Sequence, residues 1–245
     1  MNFSEARGAL VSSLPVHLRR RLRATRPMLE RFGIVSPASF GLDGLDRKLL
    51  KYINFRSGVF VEAGANDGMS QSNTAYFERY LGWRGLLVEP LPDLASKCRK
   101  NRPDSIVEQC ALVASGDART TVEMTYCNLM SLVDGAWGSS QADLAHIERG
   151  QKYLRVGDVV RNASVPAANL SMLLERHGFN RVDLLSLDVE GYESQALLGL
   201  DLCKIAPKWI LVEANHPEAV EAALRGRYGL IAELSHHDRL YCLKA

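Results

Sequence analysis

The chain has 245 residues, of which 47% are hydrophobic and 24% are charged, the ordinary balance of a globular protein. Its formal net charge of +2 is nearly neutral, which argues against broad nucleic-acid binding. No apolar run approaches the roughly eighteen residues that span a bilayer, and the N-terminus lacks the apolar region of a signal peptide, so a cytoplasmic location is expected.

The first 57 residues are predicted to form a basic helical extension. Its central part, 14–31, combines leucines with many arginines, and Pro27 should break it into two helices. A solvated helix packed against the edge of the domain explains this pattern, and contact with an acidic partner, an acidic substrate or a membrane surface is the alternative. The arginines are Arg19, Arg20, Arg21, Arg23, Arg26 and Arg31.

From residue 58 onward, short apolar runs alternate with helical patterns. Such alternation predicts an α/β fold, in which helices cover both faces of a mostly parallel sheet. The last two runs are separated only by 235–238 and should form an antiparallel hairpin. The predicted strands lie near 58–63, 86–89, 106–112, 183–188, 208–213, 228–234 and 239–243, and the predicted helices near 69–80, 91–100, 168–177, 193–200 and 217–225.

The first predicted strand runs into a glycine-containing turn, G-A-N-D-G. Gly64 and Gly68 let the backbone approach a ligand, and the free N–H groups of the next helix would face the same turn. The turn lacks the G-x-G-x-x-G pattern of dinucleotide sites, and Asp67 lies where a phosphate would be repelled. The segment therefore favours a cofactor without phosphates. Asn66 and Asp67 are expected at its amino-acid end, within reach of Glu62, with a turn-forming role as the alternative.

The second predicted strand ends at Glu89, about twenty residues after the turn. A carboxylate at this position can accept two hydrogen bonds from a ribose diol. S-adenosylmethionine fits both features, because it contains adenosine, lacks phosphates and carries cationic amino and sulfonium groups. Ala111 and Leu112, at the end of the third strand, would flank the adenine or belong to the core. A tight turn between a core strand and its helix is the structural alternative.

Acidic residues crowd the ends of the next two predicted strands. Asp188 and Glu190 follow the first of these strands, and Glu213 and His216 follow the second. Ligands of open α/β sheets bind outside the carboxyl ends of the strands, so these groups should face the same crevice as Gly64. Asp188 could bind the methionine amino group or cap the next helix. Glu190 could instead hold the following turn through backbone N–H groups.

The segment 127–165 breaks the alternation and is predicted to be an insertion with a helix over 141–153. Insertions of this size often form a lid or a substrate wall, and a surface decoration is the alternative. Trp137 and Tyr153 could stack on a sugar ring or supply a local core. Other histidines are expected to have structural or surface roles: His146, His177, His236 and His237.

Three motifs together resemble the signature of the FkbM-type methyltransferase family: V-E-A-G-A-N-D-G, V-E-P and S-L-D-V-E-G-Y-E, over about residues 58–243. The resemblance implies a methyltransferase domain over 58–245 with a Rossmann-like class I fold, a seven-stranded mostly parallel sheet and a C-terminal antiparallel hairpin. It also implies S-adenosylmethionine as donor and methyl transfer to a hydroxyl of a sugar, polysaccharide or natural product. The family commonly places a histidine two positions after the acidic end of the strand before the C-terminal region, whereas His216 lies three after Glu213.

Methyl transfer to a hydroxyl requires alignment of the acceptor and removal of its proton. Candidate general bases are Asp188, Glu190 and His216. If Mg²⁺ or Ca²⁺ lowers the pKa of the hydroxyl instead, its ligands would be Asp188, Glu190 and Glu213. The candidate cofactor-binding residues are Glu62, Gly64, Asn66, Asp67, Gly68, Glu89, Ala111, Leu112 and Asp188.

Two other functions compete with this one. A non-catalytic, methyltransferase-like scaffold could dock through the basic N-terminal helix, but the intact set of Gly64, Asp67, Glu89 and Asp188 argues against it. A nucleotide-dependent oxidoreductase is disfavoured by the missing G-x-G-x-x-G pattern. The expected partner is a small-molecule or glycan acceptor, with no nucleic acid, and peripheral membrane contact through the basic N-terminus is a further option.

Overall fold

The computed structural model describes residues 37–154 and 157–244. The chain divides into two units, Met1–Ala38 and Ser39–Ala245, and the account below concerns the second unit. The predicted basic helical region, 14–31, lies outside the described residues. Among those residues, no helix has both the length and the apolar character needed to cross a membrane.

The strands and helices are numbered along the described part of the chain. The strands are β1 (Val59–Ala63), β2 (Arg84–Val88), β3 (Ile106–Glu108), β4 (Ala111–Leu112), β5 (Thr121–Tyr126), β6 (Leu132–Val133), β7 (Arg161–Ala168), β8 (Leu184–Leu187), β9 (Trp209–Glu213), β10 (Tyr228–Glu233) and β11 (Asp238–Leu243). The helices are α1 (Leu45–Leu49), α2 (Ala75–Leu81), α3 (Pro92–Asn101), α4 (Ser140–Gly150), α5 (Leu170–Arg176), α6 (Glu193–Leu198) and α7 (Pro217–Ala223).

A seven-stranded sheet forms the centre of the fold, with the strand order β10-β11-β9-β8-β1-β2-β3. β11 is antiparallel to both of its neighbours, and the other neighbouring pairs are parallel. The predicted mostly parallel sheet with a C-terminal antiparallel hairpin is therefore confirmed. The strand order reverses between β1 and β8, and this switch point is where open α/β sheets bind their ligands.

The two faces of this sheet are buried under different helices. Along β1, Val61 and Ala63 belong to one apolar cluster, whereas Phe60 belongs to the other. Helices α5, α6 and α7 contribute to the first cluster, and α1, α2 and α3 contribute to the second. Because both faces are covered, the parallel strands need nearly continuous apolar sequence, which is why they were visible as short apolar runs.

The predicted third strand, 106–112, is two strands that belong to different sheets. Ile106–Glu108 pairs with β2, whereas Ala111–Leu112 pairs with β7 in a second, four-stranded sheet of order β4-β7-β5-β6. An apolar run does not reveal a change of pairing partner, so the prediction of one strand was wrong. The insertion supplies β6, α4, a 3₁₀ turn over Gln151–Tyr153 and the start of β7.

The helix predicted near 69–80 begins later, at Ala75. Asn66 and Gln71 have φ angles of 51° and 60°, in the left-handed region that a right-handed helix cannot include. The carboxylate of Asp67 accepts hydrogen bonds from two backbone N–H groups further along the loop, which competes with helix formation. The expectation that a helix N-terminus follows the glycine turn directly is therefore wrong.

A buried charge network anchors this loop. Arg102, which follows α3, is 2% exposed; its Nη1 donates to the Gly68 carbonyl at 2.9 Å, and its Nε lies 2.9 Å from Glu78 Oε1. Glu62, at the end of β1, lies 3.7 Å from Arg102 Nη1. The Glu62 carboxylate also accepts hydrogen bonds from Ser72 Oγ, Asn73 N and Thr74 Oγ1. The loop after β1 is thus held by a largely buried network of charged and polar side chains.

Arg102→Leu is expected to destabilise the fold by about 3 kcal/mol, because it leaves the buried carboxylate of Glu62 and the partly buried carboxylate of Glu78 without their cation. Chemical denaturation would measure the free energy of unfolding. Arg99→Leu is the matched control, since Arg99 lies on α3, three residues before Arg102, and is exposed. Equal stability of the two variants would contradict the structural role of Arg102.

Candidate active site

A cavity of about 390 Å³ opens at the carboxyl edge of the seven-stranded sheet. Its volume lies within the roughly 300–1,000 Å³ that is common for small-molecule sites. The ends of β1, β2, β8 and β9 all contribute to it, and we call it the larger cavity. The predicted cofactor residues that line it are Gly64, Asn66, Glu89, Ala111, Leu112 and Asp188.

Gly64 allows the ends of β1 and β8 to meet at this cavity. Its φ angle is 79°, and a Cβ placed on it would lie 1.7 Å from the Asp188 carbonyl oxygen. The Gly64 N–H donates to the Val88 carbonyl at 3.0 Å, which also ties the turn to β2. Any side chain at this position would push the strand ends apart, so glycine is required for packing as well as for access.

Glu89 follows β2 and is 4% exposed. Its Oε2 accepts the N–H of Asn66 at 2.8 Å, and its Oε1 accepts the N–H of Leu91 at 2.9 Å. Burial raises the pKa of Glu89 to about 7. Each oxygen retains a second lone pair, so the carboxylate can still accept two hydrogen bonds from a ligand.

Three of the predicted cofactor residues do not line the larger cavity. The carboxylate of Asp67 binds the backbone and hydroxyl of Ser70, which is the turn-forming role left open by the sequence. Gly68 packs against helix α3, where an added Cβ would lie 2.9 Å from Cys98 Sγ. Glu62 is committed to the Arg102 network. In the described structure these residues support the loop, and their contact with a cofactor stays a prediction.

Asp188, Glu190 and Glu213 meet where β8 and β9 end. One carboxylate oxygen from each lies within 4.8 Å of the other two. Burial raises the pKa of Asp188 well above its ordinary value, and the neighbouring Glu213 adds to the rise. Burial also raises the pKa values of Glu190 and Glu213 to about 7. Three carboxyl groups this close cannot all be ionised unless a cation compensates their charge. The cluster can therefore retain protons or bind a positively charged group.

The turn after β8 frees the Glu190 side chain for this cluster. Glu193 Oε1 accepts the N–H groups of Val189 at 3.1 Å and Gly191 at 3.0 Å. The alternative in which Glu190 itself holds the turn is therefore wrong. Glu190 has a φ angle of 54°, an unusual backbone conformation for a residue with a side chain, and its carboxylate lines the larger cavity.

Two histidines accompany the cluster, and neither is the predicted one. His146 Nε2, on α4, lies 3.2 Å from Glu190 Oε2, and His237 Nε2 lies 3.5 Å from Glu213 Oε1. The ring of His216 instead packs edge-on against Trp137, with the centroids 5.1 Å apart, and His216 does not line the larger cavity. The structure therefore does not bring His216 to the carboxylates.

A topological signal could have located His237. Because β11 runs antiparallel to β9, the hairpin turn that precedes it must return to the carboxyl edge of β9, and Asp238 indeed pairs with Glu213. His146 had no comparable signal, since it lies in an insertion whose packing is not encoded by its local pattern.

The predicted aromatic residues of the insertion line a second cavity of about 190 Å³, which we call the smaller cavity. Trp137 and Tyr153 lie in its wall together with His146. Glu190 and Glu213 line both cavities, so the carboxylate cluster stands at their junction.

Comparison with solved structures gives distant matches. A TehB-like SAM-dependent methyltransferase from Corynebacterium glutamicum has 11% identity over 94% of this chain and 100% of that chain, with a TM-score of 0.42. A methyltransferase FkbM from Methylobacillus flagellatus has 14% identity over 78% of this chain and 45% of that chain, with a TM-score of 0.47. An RNA methyltransferase from Salinibacter ruber, in complex with S-adenosyl-L-homocysteine, has 14% identity over 84% of this chain and 90% of that chain, with a TM-score of 0.37.

No curated protein sequence matches the chain. The family model for the methyltransferase FkbM domain matches residues 62–239, which is more than half of the sequence. The match includes the glycine turn, Glu89 and the whole carboxylate cluster, and the strand order is that of a class I methyltransferase fold. The resemblance seen in the three motifs is thereby confirmed, and the chain belongs to the FkbM methyltransferase family.

Proposed function

We propose that this protein is an S-adenosylmethionine-dependent O-methyltransferase that methylates a hydroxyl of a sugar, polysaccharide or natural product. One observation carries the proposal: Glu89, suited to a ribose diol, lines the same cavity as Asp188, Glu190 and Glu213, suited to binding a cation and accepting a proton.

The charge of the larger cavity supports a cationic cofactor without phosphates. Its described lining contains acidic residues that follow β2 and β8, end β9 and begin β11, but neither lysine nor arginine. The acidic lining would repel the pyrophosphate of a dinucleotide, and no lysine or arginine in the described lining would compensate its charge. The cationic amino and sulfonium groups of S-adenosylmethionine would instead be attracted to this lining. This observation also disfavours the oxidoreductase alternative.

The lining residues fit the parts of this cofactor. The Glu89 carboxylate would accept hydrogen bonds from the ribose hydroxyls through its remaining lone pairs. Ala111 and Leu112, both buried on β4, would supply apolar surface for the adenine. Asp188 would bind the amino group, and the positive charge would favour its ionised form. S-adenosylmethionine, when bound, supplies a methyl group on a positively charged sulfur.

Glu190 is the residue best placed to take the proton of the acceptor hydroxyl. Its pKa of about 7 lies near neutral pH, where a general base works best, and it stands at the junction of the two cavities. His146 Nε2, 3.2 Å away, would fix the orientation of the carboxylate. Aligning the acceptor oxygen with the methyl group remains the larger contribution to rate.

A divalent cation is the second route to the same deprotonation. Three carboxylate oxygens within 4.8 Å of one another are hard ligands of the kind that Mg²⁺ and Ca²⁺ prefer. A cation there would lower the pKa of the hydroxyl directly. Activity assays with EDTA and with added Mg²⁺ distinguish the two routes, because a carboxylate base works in EDTA.

Glu190→Gln is expected to lower the rate of methyl transfer about a hundredfold or more, because glutamine cannot accept the proton. Its free energy of unfolding should stay within about 1 kcal/mol of the wild-type value, since glutamine resembles the protonated carboxyl that burial favours. The assay follows labelled methyl from S-adenosylmethionine into a panel of hydroxyl and amine acceptors.

A transferred methyl group that resists alkali and is not attached to a basic nitrogen would identify a methyl ether. Glu148→Gln, an exposed change on the same helix as His146, is the control. Transfer to amines alone would contradict O-methylation, and wild-type turnover by Glu190→Gln would remove this residue from the chemistry.

Glu213→Gln is expected to flatten the pH dependence of stability in EDTA-containing buffer. The pKa of Glu213 is about 7 in the folded protein against an ordinary value of 4.5, so the folded state binds its proton more tightly. Its contribution to stability is therefore complete below about pH 4.5 and is lost as the pH rises through 7. Removing the Glu213 carboxyl should reduce the fall in the free energy of unfolding with rising pH by up to about 1.4 kcal/mol per pH unit.

Denaturation of the wild type and the variant at several pH values between these limits measures the slope. Glu218→Gln, which removes the same charge from an exposed position on α7, should leave it unchanged. An unaltered slope in Glu213→Gln would contradict the protonated cluster.

A further inference from the structure

The smaller cavity differs from the larger one in charge. Its wall contains Arg149, in the last turn of α4, and Lys152, in the following 3₁₀ turn. The larger cavity has no such cations in its described lining. The larger cavity is acidic, whereas the smaller one is lined by both cations and carboxylates. The two cavities share Glu190 and Glu213 and are suited to two different ligands.

We propose that the smaller cavity binds the acceptor, and that this acceptor carries an anionic group, a carboxylate or a phosphate, near the hydroxyl that is methylated. The inference rests on the proposed function, because it assigns the larger cavity to the cofactor. It deepens that function by naming the charge of the substrate.

The guanidinium of Arg149 and the ammonium of Lys152 can both donate further hydrogen bonds. Arg149 donates from Nε to the Ala145 carbonyl at 3.2 Å, and in the described part of the chain neither its guanidinium nor the Lys152 ammonium pairs with a carboxylate. The terminal nitrogens of Arg149 are therefore available to a ligand. Planar guanidinium groups bind carboxylates and phosphates through two parallel hydrogen bonds, and a nearby ammonium adds a point charge.

Aromatic rings hold the two cations at the cavity. The Arg149 guanidinium carbon lies 5.6 Å from the centroid of Trp137, and Lys152 Nζ lies 4.9 Å from the centroid of Tyr153. Such contacts restrict the long side chains without neutralising them. The exposed ring of Tyr153 also offers apolar surface against which the carbon skeleton of a sugar can pack.

The insertion presents this wall on a fixed support. Ser139 caps the start of α4 by accepting the Ala142 N–H. Asp143, in the first turn of α4, accepts the N–H groups of Gly135 at 2.6 Å and Trp137 at 3.0 Å. These bonds join the Trp137 loop to the helix that carries Arg149 and His146. The positions of the aromatic ring, the cation and the histidine are thus set by one element.

The two walls of the smaller cavity would orient such an acceptor. Cations from the insertion stand in one part of its lining, and Glu190 and Glu213 from the strand ends stand in another. An anionic group would be attracted to Arg149 and repelled by the carboxylates, which leaves a neutral hydroxyl to approach Glu190. A neutral acceptor could accept hydrogen bonds from the cations but would lack the charge attraction.

Calorimetric titration of the full chain tests this inference with methyl β-D-glucuronide, glucose 6-phosphate and methyl β-D-glucoside, with and without S-adenosylhomocysteine. At least one anionic probe should bind about tenfold or more tightly than the neutral glucoside. The anionic probe that binds identifies the group as a carboxylate or a phosphate.

The double variant Arg149→Gln/Lys152→Gln should lose this preference. Arg56→Gln/Lys204→Gln is the matched control, because it removes the same net charge from exposed residues that precede β1 and β9, at the opposite edge of the sheet. Binding of S-adenosylhomocysteine, measured on every variant, reports separately on the proposed function.

Three outcomes would overturn the anionic acceptor site: equal affinity for neutral and anionic probes, no binding of either anionic probe, or an unchanged preference in the Arg149→Gln/Lys152→Gln variant. A protein that fails to bind S-adenosylhomocysteine but keeps the anion preference would overturn the cofactor assignment instead.

Discussion

The crowding of negative charge at one edge of the sheet is the constraint on which the site depends. Parallel neighbours β8 and β9 end at the same edge and deliver Asp188, Glu190 and Glu213 within 4.8 Å of one another. Burial then raises the pKa of each. Carboxylates held in this way bind protons or cations readily, and both properties serve methyl transfer from a cationic donor to a hydroxyl.

The acidic residues of this edge fall into two groups with different tasks. Glu62 and Glu193 are buried. Glu62 accepts hydrogen bonds from the loop after β1, and Glu193 accepts hydrogen bonds from the turn after β8. Glu89, Asp188 and Glu190 line the larger cavity and retain capacity for a ligand. The first group fixes the backbone that positions the second group. Substitutions in the first group should therefore lower stability, and substitutions in the second group should lower activity.

The part of the fold that rests on local patterns could be predicted from the sequence. The apolar runs, the glycine turn and Glu89 were recognisable because each depends on neighbouring residues and on the rule that ligands bind at the carboxyl ends of parallel strands. The late start of α2 was missed because Asn66 and Gln71 adopt left-handed conformations that no periodicity reveals. The division of 106–112 between two sheets was missed because pairing partners are set by distant segments.

The histidines illustrate the same limit at the site. His216 lies close to Glu213 in sequence, yet its ring packs against Trp137. His146 and His237 reach the carboxylates through the packing of the insertion and the return of the C-terminal hairpin. The cations of the smaller cavity also come from the insertion, whose placement depends on long-range contacts. Residues that reach the site through tertiary packing are therefore not predictable from local sequence patterns.

Calorimetric titration of S-adenosylmethionine into the wild type and Glu89→Gln, in buffer with EDTA, tests the central claim most directly. The account predicts saturable one-to-one binding by the wild type and affinity weakened about tenfold or more in the variant, which keeps only one acceptor oxygen. Glu175→Gln, an exposed change on α5, should bind as the wild type does. Absence of binding by the wild type, or equal affinity in Glu89→Gln, would contradict the assignment of the larger cavity to the cofactor.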